Sequence, residues 1–156
     1  GDNMARYGGN MRPFGETSGP ANSPVFHYPY VQTRDTLDNL SKSGDIDARH
    51  GYKLEYINPT TGGPVMPTVG TYMQKLPNGF SGDAYQTTAA WVYHCVEGSG
   101  STIINGQKMT WKAKDTFVVP AWFKHEHKAD EDSFLFSFTD QPVQQKLGLF
   151  REGESV

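Results

Sequence analysis

The feature that most constrains the fold is a series of short segments in which apolar and polar residues alternate, each closed by turn residues. A period of two is typical of β-strands that bury one face. The chain's 17 Gly and 10 Pro interrupt that pattern too often for long helices. About eight strands are predicted, over residues 52–57, 68–76, 90–96, 101–104, 107–111, 116–119, 125–128 and 134–138. This series predicts an all-β sandwich or closed barrel.

The strongest local signal is the pair Asn105 and Gly106, which lies between two predicted strands. Both residues tolerate positive φ, so the pair predicts a type I′ hairpin. Near the end of the chain, a short helix or turn is predicted between Asp140 and Gly148.

One short N-terminal helix is predicted over residues 34–42. Leu37 and Leu40 have helical spacing there. Thr33 is the predicted N-cap, and Gly44 is predicted to end the helix.

The chain is predicted to hold one domain behind an extended arm. Residues 1–24 contain five Gly and three Pro but no Leu, Ile or Val. Such a segment cannot bury enough apolar surface to offset the entropy lost on ordering. The expected organisation is therefore a linker or extended arm over 1–24, a folded domain over 25–152 and a short tail over 153–156.

Charge and composition exclude several classes of partner. The formal net charge of −3 offers no basic surface for a phosphate backbone, so no nucleic acid is expected. No apolar run approaches the roughly 18 residues of a membrane span, and no signal peptide is visible, so no membrane partner is expected. The single Cys95 fits a reducing compartment, and the expected location is cytoplasmic.

Two glycines, Gly79 and Gly98, enclose a spacing that resembles the first motif of the cupin family, G-x5-H-x-H-x3-4-E-x6-G. Both glycines lie where the motif has them. Tyr85, Thr87 and Trp91 stand where the motif has its two histidines and its glutamate. The spacing is kept, and the metal ligands are not.

The second cupin motif, G-x5-P-x-G-x2-H-x3-N, is retained only at Pro120 and His125. Lys114, Trp122 and Ala129 replace its two glycines and its asparagine. A metal in such a barrel needs about three or four converging N and O ligands. His125 is the only retained motif ligand, so neither a metal site nor a catalytic residue is predicted in this chain.

A wider resemblance covers roughly residues 23–152. This segment is similar to the C-terminal half of gentisate 1,2-dioxygenase and of its relatives that act on salicylate or 1-hydroxy-2-naphthoate. The matching positions are Asn58, Pro59, Thr61, Gly62, Gly63, Met66, Pro67, Thr68, Met73, Gln74, Val118, Val119, Pro120, Trp122, Leu135, Phe136, Ser137, Phe138, Asp140, Pro142, Val143, Leu147, Gly148, Arg151 and Glu152. The resemblance implies a cupin double-stranded β-helix, that is, a jelly-roll barrel.

The same resemblance implies a two-cupin, ring-cleaving dioxygenase. In that family Fe(II), held by histidines, binds an aromatic substrate and O2, and in many members the metal lies in the N-terminal cupin. For this chain it implies the C-terminal, metal-free half, with a structural and oligomerisation role and no activity of its own. The implied partners are an N-terminal cupin half and further copies of the chain, and the implied cofactor is Fe(II) in the parent enzyme, with none here.

A ligand pocket in this chain would lie in the barrel interior. The pocket-lining candidates are Tyr85, Thr87, Trp91, Tyr93, Trp122 and His125. Core filling is the favoured alternative for the aromatic members of this set. His125 and His127 share one face of a strand, and charged residues next to them indicate a partly solvated rim.

Two other functions stay open from the residues alone. One is a stand-alone, metal-free cupin that serves as a binding or structural module. The other is an active single-cupin dioxygenase with an atypical site around His125.

Overall fold

The computed structural model describes residues 28–153. The arm predicted over 1–24 lies outside the described residues, as does all but the first residue of the tail predicted over 153–156. The elements are α1 (Tyr30–Ser43), β1 (Tyr52–Glu55), β2 (Gly70–Leu76), β3 (Trp91–Glu97), β4 (Ser99–Ile104), β5 (Gln107–Lys112), β6 (Thr116–Val119), β7 (His125–Ala129), β8 (Ser133–Thr139) and α2 (Gln141–Lys146).

The strands form two antiparallel sheets. One has five strands in the order β1-β2-β8-β3-β6, and the other has three in the order β5-β4-β7. Single bridges from Ser81 to Lys128 and from Tyr85 to His125 lay the segment before β3 along the free edge of β7. All eight predicted strands are present, with ends within two residues of the prediction, and the all-β fold class is confirmed.

Turn geometry follows the residues that the sequence offers. Asn105 and Gly106 adopt φ of 50° and 86° between β4 and β5, which confirms the predicted hairpin. Gly98 alone makes the tight turn before β4, with φ of 97°. A Cβ at Gly98 would lie 2.2 Å from Ser133 Oγ and 2.7 Å from Asp132 O, so no other residue fits there.

Helix α1 begins four residues before the predicted start. Pro29, with φ of −60° and ψ of 128°, is the N-cap, so the prediction of Thr33 as the cap is wrong. The first turn forms because Tyr30 packs edge-on against Phe134, with ring centroids 6.4 Å apart. Gly44 ends the helix as predicted and donates its N–H to Leu40 O at 2.7 Å. No helix among the described residues is long and apolar enough to cross a membrane.

Apolar side chains are buried on both faces of the five-stranded sheet. The inner core between the two sheets contains Leu76, Tyr85, Trp91, Tyr93, Cys95, Trp111, Phe117, Val119, Ala129 and Leu135. A smaller outer core lies beneath α1 and contains Leu37, Met73 and Phe134. β8 serves both cores because successive side chains on a strand point to opposite faces.

Polar contacts hold α1 to the sheet around this outer core. Arg34 Nε lies 2.8 Å from Glu97 Oε2, and Tyr30 donates its phenol proton to the same carboxylate. Lys75 Nζ lies 2.9 Å from Asp38 Oδ1. These groups are partly solvated, so each is expected to add well under about 1 kcal/mol, and Leu37 burial provides most of the attachment.

Substitution Leu37→Ala is therefore expected to lower the free energy of unfolding by about 2–5 kcal/mol, since it leaves a cavity under α1. The control is Val31→Ala on the same helix, where Val31 is 67% exposed and the change should stay within about 0.5 kcal/mol. Urea denaturation of both variants measures the difference. Equal losses would show that α1 does not depend on the Leu37 contact.

Candidate functional site

The centre of the barrel holds two histidines against one tyrosine. Tyr93 projects from β3 in the five-stranded sheet, and His125 and His127 project from β7 in the other sheet. The Tyr93 hydroxyl lies 2.9 Å from His125 Nε2, and the Tyr93 ring meets the His127 ring edge-on at 4.8 Å. The phenol donates, because no other acceptor for its proton is recorded among the described residues, and the neutral His125 then carries its proton on Nδ1.

His127 has a hydrogen-bond chain of its own. The Trp111 indole N–H donates to Thr102 Oγ1 at 2.9 Å. The Thr102 hydroxyl lies 2.8 Å from His127 Nδ1. An indole can only donate, so Thr102 accepts from Trp111 and donates to His127. The neutral His127 therefore carries its proton on Nε2.

Both histidines are uncharged at neutral pH. Burial lowers the pKa of His125 to about 4 and lowers the pKa of His127 well below its usual range. The two side chains are 3% and 1% exposed, so the prediction of a partly solvated rim is wrong. The pleat explains the error: Lys124 and Lys128 are exposed while the histidines between them face inward.

The three side chains at the first-motif positions are bonded to protein groups. The Tyr85 hydroxyl donates to Glu152 Oε1 at 3.0 Å. Thr87 Oγ1 accepts from the Trp91 indole at 3.3 Å and from the Ala89 N–H at 3.2 Å. A phenol, a hydroxyl and an indole in these contacts do not fit an iron ion. Within residues 28–153, no three His, Cys, Asp or Glu side chains cluster as metal ligands would.

Trp122 is placed apart from the other pocket candidates. Tyr85, Thr87, Trp91, Tyr93 and His125 are buried. Trp122 is 48% exposed, and its backbone adopts a φ of 68°. It stands where the second cupin motif has glycine, which tolerates that φ without strain. Its N–H donates to Thr87 O at 2.6 Å, so its backbone, not its ring, supports the interior.

Cys95 is buried behind Tyr93 in the inner core. Burial raises the pKa of its thiol to about 11. A thiol that stays protonated is a poor nucleophile, and its place in the core is structural.

Lys53 belongs to the site and was not among the sequence candidates. Its Nζ lies 4.3 Å from the centre of the Trp91 ring and 4.7 Å from the centre of the Tyr72 ring. Burial lowers the pKa of Lys53 to about 7, against the opposing pull of Asp47 and Glu55. The alternation in strand 52–57 was the available signal, but it does not tell which face of the strand is turned inward.

His50 lies at the same end of the barrel. Its ring meets the Tyr85 ring edge-on at 4.6 Å. Burial, and next the charge of Lys53, lowers the pKa of His50 to about 3. This end of the barrel also holds the Arg49 guanidinium, whose central carbon lies 5.4 Å from the centre of the Tyr85 ring. It thus brings an amine and a guanidinium together with aromatic rings and neutral imidazoles.

Comparison with known proteins shows extensive similarity over the whole chain. No family model matches. The chain is 44% identical over 155 residues to gentisate 1,2 dioxygenase 1 of Aquipseudomonas alcaligenes, covering 99% of this chain and 45% of that protein. It is 39% identical over 146 residues to 5-aminosalicylate 1,2-dioxygenase of Comamonas sp, covering 92% and 39%. The chain therefore spans less than half the length of these curated relatives.

The fold has a counterpart among solved structures. Salicylate 1,2-dioxygenase of Pseudoaminobacter salicylatoxidans superposes with a TM-score of 0.77 at 27% identity, covering 96% of this chain and 43% of that one. The predicted cupin-type barrel is confirmed by this match.

Thr102 offers a direct test of the interior. Thr102→Val keeps the shape but leaves the Trp111 N–H and His127 Nδ1 without their partner, and a buried unpaired polar group costs about 1–3 kcal/mol. The free energy of unfolding should fall by at least that much in urea denaturation. The control is Thr110→Val on the exposed face of β5, which should change it by about 0.5 kcal/mol or less. An unchanged free energy of unfolding for Thr102→Val would show that this chain of hydrogen bonds is not maintained.

Acid should unfold the protein through its buried imidazoles. His125 has a pKa of about 4 when folded and about 6.5 when unfolded. The unfolded chain therefore binds more protons between these values, and stability falls as the pH falls from 6.5 to 4. His125 alone contributes a loss of about 3 kcal/mol over this range, and His50 and His127 add to it. Urea midpoints at pH 7, 5.5 and 4.5 measure the slope, which His125→Asn should reduce. Urea midpoints that do not change with pH would contradict the assignment of uncharged imidazoles to the folded state.

Proposed function

We propose that this chain is the C-terminal, metal-free cupin half of an Fe(II)-dependent aromatic ring-cleaving dioxygenase of the gentisate and salicylate type. Its role is structural and includes oligomerisation, while ring cleavage takes place in an N-terminal cupin half. Similarity to two dioxygenases at 44% and 39% identity, along less than half of their length, supports the placement in such an enzyme.

The observation that carries the metal-free assignment is the occupation of the ligand positions. Tyr85, Thr87 and Trp91 stand where the first motif has its ligands, and all three are bonded to neighbouring protein groups. The retained His125 is bonded to Tyr93. No step of ring cleavage is assigned to any residue of this chain, and the iron of the parent enzyme would be held elsewhere.

A structural role also needs surfaces that can meet a partner. On the outer face of the five-stranded sheet, Val92 pairs in register with Val118 on one side and with Phe138 on the other. Val118 is 54% exposed and Phe138 is 42% exposed. α1 does not cover this row, since its buried contacts are with Met73 and Phe134. Apolar surface of this kind suits contact with the other cupin half or with a second copy of the chain.

The lone buried Cys95 supports the proposed cytoplasmic location.

Iron analysis of the purified chain tests the assignment. After anaerobic incubation with Fe(II) and desalting, the chain should hold well below one iron per molecule and should consume no O2 with gentisate. His125→Ala is the matched variant, and its iron content should equal that of the parent chain. Stoichiometric iron with turnover, lost in His125→Ala, would replace this proposal by the active single-cupin alternative.

Association tests the structural role. The chain should bind the separately produced N-terminal half of the Aquipseudomonas gentisate dioxygenase in analytical ultracentrifugation or should self-associate. Val118→Lys should weaken the complex without changing the urea midpoint, because Val118 is exposed. A chain that stays monomeric and does not bind the added half would favour the alternative of a stand-alone, metal-free cupin module.

A further inference from the structure

We propose that Tyr93 is a one-electron redox site, where an oxidising equivalent comes to rest as a neutral tyrosyl radical while His125 holds the phenolic proton. The equivalent enters through Tyr72 and Trp91. It is supplied by an outer-sphere one-electron oxidant, such as a high-potential metal complex, which accepts an electron without binding in the barrel. The inference does not depend on the proposed function, since it follows from ring contacts and one hydrogen bond.

Three aromatic side chains form a line from the mouth of the barrel, the end that holds Lys53 and His50, to its centre. Tyr72 is half-buried, Trp91 is 2% exposed and Tyr93 is fully buried. The ring centres of Tyr72 and Trp91 lie 5.6 Å apart. The rings of Trp91 and Tyr93 are stacked at 6.0 Å, with 18° between their planes. Because electron tunnelling weakens exponentially with distance, neighbouring rings at these separations exchange an electron rapidly.

The line ends at Tyr93 because the other rings beside it are hard to oxidise. Within residues 28–153, these rings belong to Phe117, stacked at 5.2 Å, and to His125 and His127, at 5.6 Å and 4.8 Å. A phenyl ring and an imidazole give up an electron much less readily than a phenol or an indole. An oxidising equivalent that reaches Tyr93 therefore has no further ring to move to.

Tyr93 has a proton acceptor in place, and Trp91 does not. The Tyr93 hydroxyl lies 2.9 Å from His125 Nε2. The Trp91 indole N–H points instead at the Thr87 hydroxyl, at 3.3 Å, which is a very weak base. The protonated Lys53 amine, 4.3 Å from the centre of the Trp91 ring, also opposes a positive charge on the indole. These contacts favour Tyr93 over Trp91 as the oxidised residue.

The step balances in electrons and protons. The oxidant gains one electron, and Tyr93 loses one. The Tyr93 O–H bond breaks as its proton passes to His125 Nε2, which leaves a neutral phenoxyl radical beside an imidazolium that keeps its Nδ1 proton. An oxidised phenol is a far stronger acid than an imidazolium, so the proton moves although burial disfavours the charge on His125. A one-electron reductant such as ascorbate reverses the step, and the proton returns to the phenol.

Tyr85 provides the matched control. Its ring centre lies 6.3 Å from that of Trp91, and its hydroxyl also has an acceptor, Glu152 Oε1 at 3.0 Å. Its acceptor differs in kind and position, because Glu152 is a carboxylate and is exposed. A radical on Tyr85 would be open to reductants in solution, whereas a radical on Tyr93 is enclosed by the barrel and persists.

The experiment is flash photolysis of the intact chain with tris(bipyridine)ruthenium(II) and a cobalt(III) ammine as the irreversible electron acceptor. Transient absorption and electron paramagnetic resonance of frozen samples detect the radical. The parent chain should give a long-lived tyrosyl radical that forms more slowly after exchange into D2O, because the transferred proton is exchangeable. Tyr93→Phe should lose this long-lived signal, and Tyr85→Phe should keep it.

A second measurement needs no variant, since Tyr93→Phe leaves His125 Nε2 without its partner and can impair folding. In the parent chain labelled with ¹⁵N-histidine, pulsed electron–nuclear double resonance should show coupling of the tyrosyl radical to a hydrogen-bonded imidazole nitrogen. Tyr85 would not show it, because its acceptor is a carboxylate. Three outcomes would overturn the proposal: no long-lived tyrosyl signal, a signal that survives in folded Tyr93→Phe, or a signal without histidine coupling.

Discussion

The hydrogen bond between Tyr93 and His125 joins the two sheets at the centre of the barrel, and much of the interior is arranged around it. Tyr93 belongs to β3, which lies between β8 and β6 in the larger sheet. Trp91 and Phe117 stack on the Tyr93 ring at 6.0 Å and 5.2 Å, and His127 meets its edge. The interior of a small barrel is filled by side chains, and here aromatic rings and two imidazoles fill it.

That filling explains why polar groups are so deeply buried. The imidazoles of His125 and His127 are held neutral by burial, and each has a hydroxyl partner, from Tyr93 and Thr102 respectively. A buried neutral ring with one hydrogen bond costs far less than a buried charge. The same burial acts on Lys53 at the mouth, where two aromatic faces are its contacts. One physical effect, desolvation, therefore lowers the pKa of the buried imidazoles and the pKa of Lys53.

The outer layer follows a different principle. Alternation along β8 places Phe134, Phe136 and Phe138 on the outer face of the large sheet. α1 buries the Phe134 end, where Leu37 and Met73 complete a small core. Phe138 stays exposed beside Val92. The helix is thus a partial cover, and the uncovered row gives the sheet a surface suited to association.

The sequence by itself determined the strands, the Asn105–Gly106 hairpin and the loss of the motif ligands at Tyr85, Thr87 and Trp91. Each of these depends on local period, on the φ that a residue tolerates, or on which side-chain chemistry is present. Only the tertiary structure decided the start of α1, the burial of His125 and His127, and the inward direction of Lys53. A period of two shows that a strand has two faces, but which face is buried depends on the layer packed against it. That layer is supplied by distant residues, such as α1 over β1, so no local pattern contains it.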